Sequence, residues 1–238
     1  MMIKAVLFDM FDTLFLIEKN HEFYSPALLR MFMYLKKQGI KVSFDEFNAA
    51  YVEARDRIYA RVEDSFEEPH FNVRVFETLK SLGFDYELSS PLVAAATNEF
   101  CEEFMTYVKI DVYAKAMLKK LHIKYKLGIV SNFAIPECVF KLIKAAGLDS
   151  YFDVVMVSAA VNKRKPCPGI FQDSLEILGV SAKEAVFVGD TIDSDIEGAK
   201  AVGMRSIYIE RRLQKSEKVC PDFAIKNLNE LLFALDQC

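Results

Sequence analysis

The pattern of hydrophobic and polar positions divides the chain into two regions with different periods. Between Leu16 and Ile110 the apolar residues recur at helical spacing, and no strand pattern is evident. Outside that region, short apolar runs alternate with helical segments. The helical spacing covers residues 25–37, 44–62, 72–82 and 91–107, and a capping box of Ser43 and Glu46 precedes the second of these segments.

The alternating part of the chain predicts a parallel sheet. Strands that alternate with helices are joined by right-handed crossovers and are covered by helices on both faces. We therefore predict an α/β fold, a doubly wound parallel sheet, in which residues 1–17 and 111–238 form the core and residues 18–110 form an inserted helical domain. The predicted strands are residues 5–8, 127–130, 154–157, 185–188 and 205–209.

Four polar side chains follow predicted strands. Asp9 follows the first strand, Ser131 the second and Asp190 a later one, while Lys165 lies in the loop after a further strand. Taken alone, Asp9 is equally well explained as an ordinary loop residue that ends a strand. In an open α/β sheet, however, ligands bind at the carboxyl ends of the strands, so these four side chains are expected to share one site.

The residue types in this set point to phosphoryl transfer. Two carboxylates such as Asp9 and Asp190 would repel each other unless a cation lay between them. Mg²⁺ is the expected cation, because it takes one or two carboxylates together with phosphate and water. Lys165 adds positive charge for a phosphate and Ser131 adds a hydrogen-bond donor. Together with a carboxylate nucleophile, these groups form a site suited to phosphoryl transfer.

Four motifs in this order resemble those of the haloacid dehalogenase superfamily, and the resemblance covers nearly the whole chain. In that superfamily a helical cap, here residues 18–110, lies between the first and second motifs. The motifs are residues 9–14, residues 129–132, Lys165-Pro166-Cys167-Pro168, and residues 189–195 followed by Gly198, Ala199 and Gly203.

The resemblance implies a role for each matching residue. Asp9 would attack phosphorus and form an aspartyl-phosphate, with Lys165 as the second catalytic residue. Mg²⁺ would be held by Asp9, the backbone carbonyl of Phe11 and Asp190. Asp195 would lie in or behind the metal site; its alternative role is that of an acid at a helix N-terminus, which the helix dipole favours. The expected phosphate-binding residues are Thr13, Ser131, Asn132 and Lys165.

One position departs from the pattern of the superfamily's phosphatases. Those enzymes carry a second Asp two residues after the nucleophile, where it protonates the leaving oxygen; this chain has Phe11 there. Asp12 is one residue further along, and neighbouring side chains of an extended loop point to opposite sides. A positioned general acid raises the reaction rate by about 10²–10⁴-fold. We therefore predict a phosphohydrolase for a small phosphorylated metabolite that favours good leaving groups.

Two alternatives stay open at this stage. True haloacid dehalogenases carry an aromatic residue at the position of Phe11, since halide leaves without a proton, and they need no metal. Asp190 argues against that chemistry, because a carboxylate that faces Asp9 makes little sense without a cation. The second alternative is a weakly active, phosphate-binding regulatory protein that has lost the general acid.

Composition excludes some classes of function. The net charge is −4 and no long basic run occurs, so nucleic-acid binding is not expected. The N-terminal segment lacks a signal-peptide pattern and the apolar runs are too short to cross a bilayer. Five dispersed cysteines without metal-ligand spacing are typical of reduced thiols, so we predict a cytoplasmic protein, monomeric or homodimeric, with a small-molecule substrate.

Overall fold

The computed structural model describes residues 2–18, 22–211 and 219–237. A six-stranded sheet with the order β5-β4-β1-β6-β7-β8 forms the centre of the molecule, and all of its neighbouring strands are parallel. The described strands are β1 (Ala5–Phe8), β2 (Phe15–Ile17), β3 (Val108–Ile110), β4 (Lys126–Ser131), β5 (Val154–Val157), β6 (Ala185–Gly189), β7 (Arg205–Ile209) and β8 (Phe223–Ile225).

Helices cover both faces of this sheet. In β1, Ala5 and Leu7 pack with residues of α8 and α9, whereas Val6 and Phe8 pack in the larger core that includes α5, α6 and α10. This arrangement confirms the predicted doubly wound fold. The described α-helices are α1 (Tyr24–Lys37), α2 (Phe44–Val62), α3 (Phe71–Ser81), α4 (Pro91–Met105), α5 (Ala114–Leu121), α6 (Pro136–Ala145), α7 (Ser158–Val161), α8 (Pro168–Leu178), α9 (Glu197–Ala201) and α10 (Leu231–Asp236).

The helices α1 to α4 lie between β2 and β3 in the chain, where the helical spacing predicts them. Helix α1 packs on α4, and α2 packs on α3. The capping box fixes the start of α2: Ser43 Oγ accepts a hydrogen bond from the Glu46 amide, and Glu46 Oε2 accepts one from the Ser43 amide at 2.8 Å. The division into core and cap at residues 18 and 110 stays a prediction.

An antiparallel ribbon of β2 and β3 joins the helical segment to the core. The expectation of no strand between Leu16 and Ile110 is therefore wrong. Three-residue strands carry little periodicity, and contacts distant in sequence hold this pair. Asp12 Oδ1 accepts a hydrogen bond from the Ile17 amide at 3.1 Å, and Arg211 donates to the Asp12 carbonyl and pairs with Asp111.

Two further elements differ from the predicted pattern. Strand β8 was not predicted, and the helix expected to begin at Asp195 is preceded by a π-helix, Ile192–Ile196, that continues into α9. In the ranges that the structure describes, none of the helices combines the length and the apolar character needed to cross a membrane. The cytoplasmic location and the oligomeric state stay predictions.

Candidate active site

The carboxyl ends of three central strands bring the predicted residues together. Asp9 directly follows β1, and its amide donates to the Val188 carbonyl of β6 at 2.8 Å, so the β1 ladder extends to the nucleophile candidate. Ser131 is the last residue of β4, and Asp190 follows β6. The loop between α7 and α8 delivers Lys165 to the same edge of the sheet.

Lys165 lies between two carboxylates. Its Nζ atom is 2.6 Å from Asp9 Oδ1 and 2.7 Å from Asp195 Oδ1, and it lies 5.3 Å from the ring centroid of Phe187. All three charged side chains are buried. Burial alone would lower the pKa of Lys165, but Asp195 and Asp9 outweigh it and raise that pKa, so the ammonium stays charged.

Three carboxylates lie close together in this cluster. Carboxylate oxygens of Asp9, Asp190 and Asp195 all lie within 4.8 Å of one another. Burial raises the pKa of Asp9 to about 7; Lys165 opposes this shift, and Asp195 and Asp190 add to it. Lys165 Nζ contacts Asp9 and Asp195, and the Thr191 hydroxyl lies 3.3 Å from Asp190 Oδ1. A divalent cation with a preference for oxygen ligands fits this donor set.

Two buried hydroxyls at the same edge are available to bind a ligand. Thr13 Oγ1 and Ser131 Oγ are fully buried, and within the described parts of the chain neither has a hydrogen-bond partner. Buried polar atoms without a partner are rare and mark a missing ion, water or ligand. Together with Lys165, these two hydroxyls could bind the oxygens of a phosphoryl group.

Asn132 contacts Lys165 with both ends of its amide. Its Oδ1 accepts from the Lys165 amide at 2.7 Å, and its Nδ2 donates to the Lys165 carbonyl at 2.9 Å. Asn132 thus holds the Lys165 backbone in position, and the phosphate contact expected for it from the sequence stays a prediction. Ser158 supports the same loop, because its Oγ accepts from the Phe133 amide at 2.9 Å.

Asp195 is fixed from two sides. Its Oδ2 accepts a hydrogen bond from the Thr191 amide at 3.0 Å, while its Oδ1 pairs with Lys165. The close approach of Asp195 to the strand end requires Gly189, since a Cβ there would lie 2.6 Å from Asp195 Cβ. Asp195 thus contacts the amide that precedes the π-helix and lies beside Asp9 and Asp190, and its role in the metal site stays a prediction.

The position two residues after Asp9, where the sequence resemblance implies a general acid in phosphatases, belongs to an aromatic cluster. The Phe11 ring lies 4.8 Å from that of Phe133 and 5.4 Å from that of Phe104, and Phe23 packs on Phe104 at 4.6 Å. Asp12 has a left-handed backbone (φ 58°) and its carboxylate is bonded to the Ile17 amide. Its side chain therefore stabilises the ribbon.

Several residues near the site were not found by sequence reasoning. Arg74 is buried, and its Nη2 donates to the Tyr59 hydroxyl at 2.6 Å and lies 3.8 Å from Glu68 Oε1. Such contacts depend on the packing of α2 against α3, so no local sequence motif predicts them. The other residues missed are Ser158, Asp111 and Arg211.

Comparison with known proteins places these features in one family. A family model for haloacid dehalogenase-like hydrolases matches residues 3–203. The chain is 32% identical to the glyceraldehyde 3-phosphate phosphatase of Methanopyrus kandleri, over 97% of this chain and 96% of that protein. It is 29% identical to a phosphoserine phosphatase of Thermus thermophilus, over 69% of this chain and 65% of that protein.

Solved structures agree with the sequence relatives on the family. A 2-haloacid dehalogenase from Pseudomonas syringae superposes with a TM-score of 0.79 at 25% identity, with 99% of both chains covered. A HAD phosphatase from Thermococcus onnurineus superposes with a TM-score of 0.66 at 30% identity, with 98% of both chains covered. This protein is therefore a member of the haloacid dehalogenase-like hydrolase family.

Proposed function

We propose that this protein is a Mg²⁺-dependent phosphohydrolase that acts on a small phosphorylated metabolite through an aspartyl-phosphate on Asp9. The observation that carries the proposal is the buried cluster of Asp9, Asp190 and Asp195, whose carboxylate oxygens all lie within 4.8 Å of one another. Carboxylate oxygens at this spacing suit a divalent cation such as Mg²⁺.

The residues of the cluster divide the reaction between them. Asp9 attacks phosphorus, and the bond between phosphorus and the leaving oxygen breaks. Water then attacks phosphorus, which releases phosphate and restores the Asp9 carboxylate. Lys165, Ser131 and Thr13 stabilise the charge on the phosphoryl oxygens, and Asn132 holds the Lys165 backbone in place.

The metal would be held by Asp9, Asp190 and the backbone carbonyl of Phe11. Bound there, Mg²⁺ would neutralise charge on the phosphoryl oxygens and reduce the repulsion among the neighbouring carboxylates. Asp195 is already engaged with Lys165 and with the Thr191 amide, so we assign it to the support of this site.

Phe11 restricts the leaving groups that this site can handle. An aromatic ring offers no proton, and its neighbours Phe104 and Phe133 are apolar as well. The leaving groups of acyl and aryl phosphates depart without protonation. Alkyl phosphates need a proton on the leaving oxygen, so their hydrolysis loses the rate enhancement of about 10²–10⁴-fold that a general acid makes. We therefore expect fast hydrolysis of activated phosphates and slow hydrolysis of simple alkyl esters.

The relatives support phosphatase chemistry on small substrates. Matches that cover more than nine-tenths of both chains are named glyceraldehyde 3-phosphate phosphatases, in Methanopyrus kandleri and in Pyrococcus furiosus. A three-carbon phosphate ester is therefore a reasonable first substrate to assay, beside the activated phosphates.

Dehalogenation is the second candidate. Phe11 and its aromatic neighbours would suit a carbon–halogen bond, and a 2-haloacid dehalogenase is among the most similar solved structures. In that reaction Asp9 would attack carbon, halide would leave without a proton, and no metal would be required. The close approach of Asp190 and Asp195 to Asp9 favours the phosphatase, because three neighbouring carboxylates suit a divalent cation.

The test is hydrolysis of acetyl phosphate and p-nitrophenyl phosphate by the purified protein, with Mg²⁺ and with a chelator. We expect phosphate release that needs Mg²⁺ and that disappears in Asp9→Asn, with the fold retained by circular dichroism. Absence of phosphate release from both compounds, combined with chloride release from 2-chloropropionate, would overturn the proposal in favour of a dehalogenase.

A further inference from the structure

A pocket of about 160 Å³ lies between the inserted helices and the loop that follows Ser131. On the side of the insert it is lined by Tyr59, Glu68 and Arg74, and on the side of the core by Asn132 and Phe133. It is smaller than the roughly 300–1,000 Å³ of pockets that take drug-sized ligands, so its occupant would be a group of a few atoms.

Two residues of the pocket lining are linked to the candidate active site. Asn132, which lines it, is bonded through its amide to the backbone of Lys165, and Lys165 contacts Asp9. Phe133, which also lines it, packs against Phe11. These contacts make the pocket a candidate for the part of a substrate that is not transferred to Asp9.

Main-chain hydrogen bonds hold the insert against both loops of the site. The Phe71 amide, at the first residue of α3, donates to the Ala134 carbonyl at 2.9 Å. The Arg164 amide donates to the Phe66 carbonyl at 2.8 Å, one residue before Lys165. The position of Arg74, one turn into α3, is thus fixed relative to the catalytic loops.

Arg74 has unused capacity to bind an anion. Its side chain is more than nine-tenths buried, and its Nε atom has no hydrogen-bond partner among the described residues. Its guanidinium packs on the Tyr59 ring, and the carboxylate of Glu68 lies 3.8 Å from Nη2, outside hydrogen-bond distance. A guanidinium offers five donors in a planar fork that matches a carboxylate.

The charges around the pocket favour an anion. Glu68 is the acidic residue of the lining, and the two cations that act on it are Arg74 and Arg164. Burial raises the pKa of Glu68, although both arginines oppose this shift. The Tyr59 hydroxyl accepts a bond from Arg74 and keeps its own proton to donate.

We propose that this pocket binds a carboxylate on the substrate, with Arg74 as its ion-pair partner and Tyr59 as a second donor. The substrate class is then a small phosphate compound that carries a carboxylate and whose leaving group needs no protonation, such as an acyl phosphate with a second carboxylate. This inference rests on the proposed phosphohydrolase function and refines it. A phosphate compound of the same size without a carboxylate would leave the Arg74 guanidinium without an ion-pair partner.

The test compares two phosphonates that cannot be hydrolysed. 3-Phosphonopropionate carries a carboxylate, and 3-hydroxypropylphosphonate has a hydroxyl in its place. Calorimetric titration of the wild-type protein in Mg²⁺ should show that the acid binds about 10- to 100-fold more tightly, as expected for one hydrogen-bonded ion pair. Arg74→Gln should bring this ratio close to one, and Tyr59→Phe should reduce it.

Matched variants separate recognition from folding. Arg57→Gln on the exposed side of α2, whose side chain pairs with Glu53 on the surface, should keep the wild-type ratio. Arg74→Lys should give an intermediate ratio, since charge remains and the fork is lost. Equal affinity for both phosphonates, binding of neither, or a preference that survives Arg74→Gln would overturn the inference.

This outcome is independent of the test of the proposed function. Hydrolysis of acetyl phosphate together with equal affinity for both phosphonates would support the phosphatase proposal and reject the carboxylate pocket. A protein that prefers the acid but releases no phosphate from any ester keeps the pocket and loses the proposed activity.

Discussion

The ring of Phe11 packs against the ring of Phe133, with centroids 4.8 Å apart, at the place where a general acid would face the leaving group. Phe133 belongs to the loop that follows Ser131, so this contact joins the first and second motifs through an apolar surface. The site thus has the groups expected for nucleophilic attack and for charge stabilisation, and it lacks a proton donor at position 11.

Restoration of an acid at this position should extend the range of substrates. Phe11→Asp is expected to raise the ratio of turnover on alkyl phosphates to that on acetyl phosphate by about 10²-fold. It should also lower the free energy of unfolding by about 1–3 kcal/mol, because aromatic packing is lost. Phe11→Asn is the control, which has a similar shape and no acid. An equal gain in Phe11→Asn would show that the missing proton is not the limitation.

Metal binding should change stability through the carboxylate cluster. A rise in melting temperature of roughly 5–10 °C is expected when Mg²⁺ is added at about 100 times its dissociation constant. Asp190→Asn should abolish the response to Mg²⁺, since one of the expected metal ligands is removed.

The exposed Asp193, three residues further along, provides the control for the metal experiment. Asp193→Asn should respond to Mg²⁺ as the wild type does. An Asp190→Asn protein that is still stabilised by Mg²⁺ to the wild-type extent would remove Asp190 from the metal site.

Gly189 should be required for the geometry of the site. A methyl group there would overlap Asp195, whose atoms are the three nearest to the added carbon, and Asp195 in turn holds Lys165. Gly189→Ala is expected to lower kcat/KM for acetyl phosphate about tenfold or more, since overpacking costs about 1–3 kcal/mol. Gly169→Ala, where the added carbon meets ordinary contacts, should have wild-type activity. Full activity in Gly189→Ala would show that the Asp195 position is not needed.

Asp222 should make stability depend on pH. Its carboxylate accepts hydrogen bonds from the Ser206 amide at 2.8 Å and from Lys200 at 3.0 Å, which joins the start of β8 to β7. Burial acts to raise the pKa of Asp222, but the bonds from Lys200 and Ser206 outweigh it, so the pKa is lowered. Because the pKa of Asp222 is lower in the folded state, its carboxylate adds stability at pH values above its unfolded-state pKa near 4. This stability is lost as the pH falls through the folded-state pKa.

The matching experiment is urea unfolding of Asp222→Asn and wild type at pH 7 and at pH 3. The variant should be about 1 kcal/mol less stable at pH 7, a modest figure because the group is partly exposed. The difference should shrink at pH 3. A constant difference at both values would mean that the carboxylate charge contributes nothing.

The sequence was most informative where local pattern and fold agree. Apolar runs of four or five residues predicted β1 and β4 to β7. Because parallel strands end at one edge of the sheet, the polar residues that follow these runs predicted a site with Asp9, Ser131 and Asp190. The capping box placed the start of α2 at Phe44. These features depend on neighbours in the chain.

The features that sequence reasoning missed depend on distant contacts. The ribbon of β2 and β3 is stabilised by Asp12 and Arg211, which lie 199 residues apart in the chain. The amide of Asn132 is bonded to Lys165 across 33 residues. The pocket around Arg74 exists only because α3 packs on α2 and begins against the loop at Ala134.

Covalent trapping tests the central claim most directly. The protein is mixed with acetyl phosphate labelled in its phosphoryl group, quenched in acid during turnover, digested, and mapped for label. The account predicts one labelled peptide, the one that contains Asp9, with label that is released by hydroxylamine and that is absent in Asp9→Asn. Phosphate release without label on Asp9, or turnover by Asp9→Asn, would contradict the assignment of Asp9 as the nucleophile.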